Sequence, residues 1–550
     1  MRREAIERVE LDMNEVEALL ARVRQEWGER DYDKLRKLLD AYVYLTDLVA
    51  DERTTIARLR ELLGTNTSEK TAKVLGRTDD KAPEGKKKSP PADPRRDKKP
   101  AKGHGRNGAD AYPGAQRVGV PHGSLSPGDS CPECQRGKVY RQGQPGVIVR
   151  LQGRAPLTAT VYELEKLRCH LCGEMFTARA PEGIGDQKYD ASSAAMIALL
   201  KYGTGLPFHR LEGLQGSLGI PLPASTQWEI VQEAAATIEP AYRELIRQAA
   251  QGEVLHNDDT AMKVLELMPG ARDGPGFTVE DSEMSADRTG VFTSGIVATR
   301  EGRQVALFFT GRRHAGENLQ VVLSQRASEL GPPIQMCDAL SRNLPAELEV
   351  ILANCLAHGR RQFVKVVESF PEECRHVLEQ LAVVYKNDAT AKERRLSPDE
   401  RLRFHQAESG PMMDELHGWL DEQIQDKKVE PNSSLGKAIR YMLRHWDPLT
   451  RFLRVPGAPL DNNVCERALK KAILHRKNAL FFKTKNGARV GDTFMSLIHT
   501  CQLSAVNPFD YLTALLDNAK ALAERPSDWM PWHYRDTLAR TDAGSPVGGR

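Results

Sequence analysis

Three carboxylates stand where a chain could gather metal ions. In GEVLHNDDT an apolar run leads into Asp258 and Asp259, and in PIQMCD a second apolar run ends on Asp338. Acids at the ends of neighbouring strands can jointly hold hard, oxygen-seeking cations such as Mg²⁺ or Mn²⁺. A third carboxylate, Glu466, lies in APLDNNVCERALKKAILHRKN, on a helix expected to begin near Asp461. Asn462 and Asn463 share its helical face, while Arg467, Lys470 and Lys471 can present basic groups to a phosphate backbone, with Arg476 and Lys477 further along the same helix. Taken singly, each of these acids reads first as a solvent-facing charge or a helix cap, and Asp461 has the character of an N-cap.

A second constellation is made of cysteines. Cys131-Pro-Glu-Cys134 is followed, after 34 residues, by Cys169-His-Leu-Cys172. Two such pairs let four thiolates converge on one Zn²⁺, and VIVRLQGR and TATVYELEKLRC between them alternate as the strands of a zinc ribbon would. Four protein ligands leave no open position, so the expected role is structural or DNA-facing, with His170 only a neighbour. The total of nine cysteines is odd, which fits metal binding in a reducing compartment better than disulfides.

The elements around the acids read as a mixed α/β layer. A strand ends at Asp258, TSGIVATR and RQVALFFTG supply two more, NLQVVLSQRAS a helix, PIQMCD a fourth strand, and EVILANC a fifth before the helix HGRRQFVKVVESF. That order matches a ribonuclease-H-like core, in which the first and fourth strands lie side by side. The helical stretch from Val364 to Arg454 would be an insertion before the Glu466 helix.

Upstream, apolar positions from Ile6 to Leu63 advance in steps of three and four, the seam of a coiled coil that would self-associate; two helices packed on the rest of the chain is the competing reading. The stretch PEGKKKSPPADPRRDKKPAKGHGRNG has almost no apolar residue and reads as a basic linker. Residues 191–236 read as short helices around the turn Ile220-Pro-Leu-Pro223, with Ser225 or Thr226 as cap. They fit a helix-turn-helix, which makes Ser225, Thr226 and Gln227 candidate DNA contacts; plain helical packing explains the same pattern.

Composition sets bounds on these readings. A chain of 550 residues exceeds one compact core, and its net charge of +3 means that DNA affinity must come from local basic clusters. No apolar run approaches a membrane span, and the charged start MRREAIERVE is unlike a signal peptide, so a cytoplasmic, nucleoid-associated protein without a membrane partner is expected. No nucleophile in a basic pocket is evident around the thirteen tyrosines, as a tyrosine recombinase would need.

The segments HNDDT, CDALSRN, NCLAHGRRQF, DNNVCERALKKAILHRKNALFF and SLIHTCQLSAVNPFDYL, in this order, resemble landmarks of the insertion sequence 66 family of transposases. The resemblance runs from the cysteine pairs to the carboxyl terminus, and DNN-x-x-ER-A is its most specific stretch. It implies that Asp258, Asp338 and Glu466 form a catalytic metal-binding triad, with Asp259 where the family usually has Glu. Met268 to Arg288 reads as an insertion, and ALSRN after Asp338 departs from the Gly and Tyr residues more usual there. The implied organisation is a coiled coil over 1–64, a basic linker over 65–118, a zinc ribbon over 119–182, a helix-turn-helix region over 183–250, a ribonuclease-H-like core from 251–363 with an α-helical insertion at 364–454, the Glu466 helix within 455–495, and a helical region at 496–550. The implied activity is metal-dependent cleavage of insertion-sequence ends and transfer into target DNA. Expected partners are double-stranded DNA at terminal inverted repeats and target sites, further copies of the chain in a homodimer or larger oligomer, and accessory proteins of the same element. A non-catalytic DNA-binding regulator and a nuclease without strand transfer are the alternatives.

Overall fold

The computed structural model describes residues 115–268 and 290–544 apart from 142–146, 152, 169, 171, 173–174 and 183–186, together with 110, 112 and scattered positions between 20 and 37. Most of the expected coil, most of the linker, Cys169 and the insertion after Met268 therefore lie outside the described residues. Among the described residues no helix is long and apolar enough to cross a membrane.

The cysteine region is built from short pieces. A bridge between Ser130 and Lys138 closes a turn around Cys131 and Cys134. Strands β1 (Lys166–Arg168) and β2 (Met175–Thr177) pair antiparallel on either side of the second Cys pair. The alternating VIVRLQGR stretch is a correction to the sequence reading: its described residues form no strand, and Ile148 is 95% exposed. Alternation yields a strand only where a partner takes up its backbone N–H and C=O groups.

Helix α1 (Ala191–Ala198) starts at Asp190, whose carboxylate accepts the Ser193 N–H at 2.8 Å. It continues through a π-turn at Leu199–Gly203 to α2 (Phe208–Ser217) and α3 (Ala224–Ala250). The sequence suggested a capped short helix followed by another, but α3 is one 27-residue helix that runs through Pro240. Its N-cap is Pro223, with no side-chain cap, so neither Ser225 nor Thr226 caps it. Val231, Ala234, Ile238, Ala241, Leu245 and Ala249 recur at three- and four-residue spacing and are buried, which turns α3 into a central support for the sheet.

The sheet has the order β5-β4-β3-β6-β7. Strands β3 (Val254–Ala261), β4 (Phe292–Arg300) and β5 (Arg303–Gly311) form an antiparallel meander. The β4–β5 turn holds Glu301 and Gly302 at φ 49° and 77°, the left-handed pair that suits a two-residue hairpin. After α4 (Ala315–Leu323), β6 (Ile334–Cys337) returns parallel to β3, and β7 (Ile351–Asn354) lies parallel beside it. The first and fourth strands of this sheet are therefore neighbours.

Helices α5 (Leu356–Val364), α6 (Pro371–Glu393), α7 (Pro398–Glu408), α8 (Gly410–Gln425), α9 (Ser434–Arg444) and α10 (Trp446–Leu449) follow. They share one apolar cluster with β6 and β7, through Met336, Ala353, Leu378, Leu416 and Ile439, so this helical stretch is anchored to the sheet. Inside it Asp388 is buried against Lys392 at 2.6 Å, Arg401 at 2.7 Å and His405 at 3.5 Å. Burial opposes its charge, yet the His405 hydrogen bond and the Arg401 and Lys392 cations outweigh that and hold the carboxyl well below its usual range.

Helices α11 (Asn463–Ala479) and α12 (Lys485–Leu503) return to the sheet before α13 (Pro508–Asp517), α14 (Ala519–Glu524) and α15 (Tyr534–Gly544) close the chain. Helix α12 covers the free edge of β5. Its Asp492, Ser496 and Thr500 accept the N–H groups of Thr310 at 2.6 Å, Phe308 at 3.0 Å and Ala306 at 3.1 Å. Four helical residues rise about 6 Å and two strand residues about 6.6 Å, so the two spacings stay in step across three contacts. An edge that could recruit a foreign strand is thereby closed.

Candidate active site

Strand register brings the first two acids together. His256 pairs with Met336, so Asp258, in the second half of β3, and Asp338, just past the end of β6, each lie two residues beyond that pair on adjacent parallel strands; β3 itself runs on to Ala261, where the sequence reading ended the strand at Asp258. Burial pushes the Asp258 carboxyl up to about 7; the Asp259 N–H, 2.8 Å from its Oδ1, pulls the other way, and the charges of Asp338, Asp259 and Glu466 add to the rise. Asp338 and Glu466 are thus each within electrostatic reach of Asp258. Asp338 is oriented from its own loop, since Asn343 Nδ2 donates to its Oδ1 and the Leu340 N–H lies 3.4 Å from the same oxygen.

Glu466 arrives on the first turn of α11, which is locked to β3 by Asn462. The Asn462 side chain is fully buried; Nδ2 donates to Asn257 O at 3.1 Å, and Oδ1 accepts from His256 Nδ1 at 3.1 Å. Because Oδ1 has no proton to give, His256 must carry its proton on Nδ1. Burial depresses the His256 imidazole to about 4, which keeps the ring neutral. The Asn462 N–H points at Cys355 Sγ at 3.3 Å, and Asp461 accepts the Asn463 N–H at 3.1 Å, so Asp461 does serve the helix start although the N-cap position itself is Asn462.

Arg361 and His358 from α5 meet Glu466. Arg361 Nη2 and Nη1 lie 3.2 and 3.4 Å from its two oxygens, and His358 Nε2 is 3.8 Å from Oε1. Asp259 alternates away from Asp258 and is almost fully buried, with His314 Nδ1 at 2.8 Å and Arg342 Nη2 at 3.2 Å. A second buried network, in which Gln335 donates to Asn257 Oδ1 at 2.9 Å and Asn257 donates to Asn343 O at 2.8 Å, ties β3, β6 and the loop after Asp338.

The candidate DNA contacts divide. Arg467, Lys470 and Lys477 are exposed on α11 and Lys471 is half-buried. Arg476 donates to Ala261 O and to Thr260 Oγ1 at 3.3 Å, a tie between α11 and the end of β3. Ser225 is exposed and Thr226 half-buried, but Gln227 is fully buried, its amide donating to Leu222 O at 2.9 Å and Phe208 O at 3.1 Å. Gln227 therefore holds the α2–α3 turn and cannot read a base edge, which corrects the sequence reading. Beyond β5, a cleft of about 640 Å³ is lined by Arg312, Arg313, Lys485 and Arg489, a basic cluster that the sequence reading missed because its members come from two distant segments.

Of the two cysteine pairs, only the first is described in full. Backbone N–H groups of Arg136 and Gly137, then the Cys131 side chain, direct hydrogen bonds at the Cys134 sulfur and hold its thiol below the ordinary value. Cys172 is exposed.

Sequence reasoning also missed Arg361 and His358, although HGRRQF directly after a strand was visible. Their three-residue spacing on a helix start is the signal that both could face the neighbouring Glu466 helix.

A mixed sheet flanked by helices, with Asp258 and Asp338 on neighbouring parallel strands, is compatible with a transposase domain. The family model described as "Transposase IS66 family" matches residues 187–490, and the chain belongs to that family. Relatives in Sinorhizobium fredii include the uncharacterized protein y4jD, 26% identical over 355 residues that make up 62% of this chain and 65% of that protein. The uncharacterized protein y4hP of the same organism is 24% identical over 440 residues, 76% of this chain and 75% of that protein. The chain thus spans 65% of the length of y4jD.

Proposed function

We propose that this protein cuts the ends of an insertion sequence and joins them to target DNA, with Asp258, Asp338 and Glu466 as the carboxylates of a ribonuclease-H-like core. One observation carries the reading: neighbouring parallel strands bring Asp258 beside Asp338, and a distant helix adds a third carboxylate whose charge is felt at Asp258. The donor set of three carboxylates fits a hard cation such as Mg²⁺ or Mn²⁺. When bound, such ions would polarise the scissile phosphate and acidify an attacking water or 3′ hydroxyl.

The chain's own groups have separable tasks in this scheme. Asp258 and Asp338 are the fixed ligands, held by the sheet, and Glu466 is the ligand delivered by α11. Asn462 keeps α11 registered on β3, and Arg361 with His358 orients the Glu466 carboxylate. Arg467, Lys470, Lys471 and Lys477 can contact phosphates of the bound duplex, and the cleft of Arg312, Arg313, Lys485 and Arg489 extends positive charge past β5. No covalent protein intermediate is needed, because the attacking oxygen comes from water or DNA.

In the same reading Cys131, Cys134, Cys169 and Cys172 hold a structural Zn²⁺, supported by the backbone N–H groups aimed at Cys134. The N-terminal seam joins copies of the chain, as a reaction on two DNA ends requires. The deciding experiment is metal-dependent cleavage and strand transfer on DNA carrying the element's own terminal repeats. Cleavage that is lost in Asp258→Asn and Asp338→Asn supports the reading, whereas two variants that cut at the wild-type rate refute it.

A further inference from the structure

The junction between β7 and α5 holds a donor set unlike that of the three acids. Cys355 is the last residue before α5, His358 lies one turn into the helix on the same side, and Glu466 faces both from α11. Each offers one ligand atom, a sulfur, an imidazole nitrogen and a carboxylate oxygen, and these atoms lie within 4.8 Å of one another. We propose that Cys355, His358 and Glu466 form a separate site for a soft or borderline divalent cation such as Zn²⁺, and that its occupation withdraws Glu466 from the two aspartates.

Ligand chemistry separates this site from magnesium chemistry. Mg²⁺ demands near-octahedral oxygen ligands, whereas a thiolate and an imidazole select zinc-like ions, and three protein ligands leave one position for water. The ligands are held by structure on both sides: Cys355 receives the Asn462 N–H at 3.3 Å, and α5 and α11 are fixed to the same sheet. On binding, the Cys355 thiol gives its proton to solvent and its sulfur bonds the cation, while no redox change occurs. The cation contacts Glu466 through Oε1, the oxygen nearer His358, and competes there with Arg361 Nη1. Zinc thus becomes an inhibitor that acts by taking the delivered carboxylate. The site rests on the side chains alone; its effect on cleavage rests on the reading of Glu466 as a catalytic ligand.

The test uses full-length protein whose cysteine-pair site is already saturated with zinc. Zn²⁺ is titrated at fixed Mg²⁺ while bound zinc and cleavage are measured in parallel, for wild type, Cys355→Ser and His358→Gln, each normalised to its own zinc-free rate. Wild type should bind one more zinc per chain than either variant. In the variants the half-inhibitory zinc concentration should rise by at least about tenfold, the lower end of what altered metal surroundings cost. Equal zinc content in all three proteins overturns the site, even if a variant fails to cut. Loss of the extra zinc with inhibition unchanged upholds the site and overturns its control of Glu466.

Discussion

Gly295 lies directly across the β3–β4 ladder from Asp258, and the helix that carries Glu466 rests on it. A Cβ at this position would stand 3.0 Å from Leu469 Cδ2 and Cγ and 3.4 Å from Cys465 Sγ. Cys465 also reaches the Gly295 carbonyl at 3.2 Å, so the absent side chain is what lets α11 settle close enough to bring Glu466 to the sheet. Gly295→Ala already requires Leu469, at Cγ as well as Cδ2, to give way by a few tenths of an ångström. Gly295→Val overfills the contact and should destabilise the fold by about 1–3 kcal/mol. Because it moves α11 away from β4, it should also slow cleavage more than it weakens DNA binding. Parallel thermal unfolding, cleavage and binding measurements check this, and a Val variant that cuts normally would show that α11 needs no such close approach.

Asn462 gives a second test of how α11 is placed. Asn462→Ala leaves the buried His256 Nδ1–H and the Asn257 carbonyl without their partner, a loss of about 1–3 kcal/mol at a site where Asn462 is fully buried. Asn462→Asp keeps the acceptor for His256 but buries a charge beside the three acids. Both variants should cut more slowly at saturating DNA, with the extra negative charge of the Asp variant lowering the Mg²⁺ needed for half-maximal cleavage. Chemical denaturation and a Mg²⁺ titration of the cleavage rate separate the two effects.

Much of this site was legible in the sequence, and the reason is local. An apolar run leading to an acid identifies a strand, so β3 and β6 could be read from a few residues each, although β3 continues past Asp258 to Ala261. The strand order that makes them neighbours followed from the alternation of elements. Partnerships between distant segments were not legible: Arg361 with Glu466, Asn462 with His256, and the Asp492, Ser496 and Thr500 ladder on β5 each depend on how whole elements pack. Gln227 shows the converse error, since a polar residue early in a helix looks exposed until α2 covers it. The VIVRLQGR stretch fails for a similar reason, because periodicity cannot supply a pairing partner.

The ladder on β5 carries a pH prediction. Burial raises the Asp492 carboxyl to about 7, despite the hydrogen bonds from Thr310 that favour its charge. The folded state therefore retains a proton that the unfolded chain releases near pH 4, about the ordinary carboxylate value. Stability from this group is fully present below that point and is lost as pH rises through about 7. Asp492→Asn has no charge to bury, so relative to wild type it should gain stability as pH is raised from 5 to 8. Denaturant midpoints across that range test it; parallel curves for the two proteins would mean that Asp492 titrates as an ordinary carboxylate.

His475 should act in the opposite direction. It is buried on α11, stacked at 4.6 Å on Phe482 and at 6.1 Å on Tyr202, and burial followed by the nearby Lys201 charge lowers its imidazole to about 3. The unfolded chain takes up a proton near pH 6.5 that the folded state refuses, so stability from this group is present above about 6.5 and is lost as pH falls toward 3. His475→Phe keeps the ring and removes the proton acceptor. Its acid-unfolding midpoint should lie below that of wild type, and an unchanged midpoint would assign the acid sensitivity to other groups.

Glu466 is the decisive residue, because it is separated from Asp338 by the whole helical insertion and no local constraint directs it to the aspartates. The structure gives it Arg361 as an ion partner at 3.2 Å and His358 as a neighbour at 3.8 Å, where the sequence alone allowed a solvent-facing charge. Glu466→Gln preserves size and hydrogen-bonding capacity and removes the charge. If Glu466 is a catalytic ligand, cleavage in Mg²⁺ should fall by at least about a hundredfold, the scale on which one lost transition-state contact is felt. Binding to terminal-repeat DNA should persist, since the exposed basic residues of α11 and the cleft beyond β5 are untouched. If Glu466 serves only to pair with Arg361, the amide still accepts the guanidinium hydrogen bond, and both the cleavage rate and its Mg²⁺ dependence should stay near wild type. Arg361→Met completes the comparison: with Glu466 as a ligand it should raise the Mg²⁺ needed for half-maximal cleavage, because the carboxylate loses its orienting partner while keeping its charge. A Gln variant that cuts normally beside a Met variant with an unaltered Mg²⁺ requirement would remove Glu466 from the reaction.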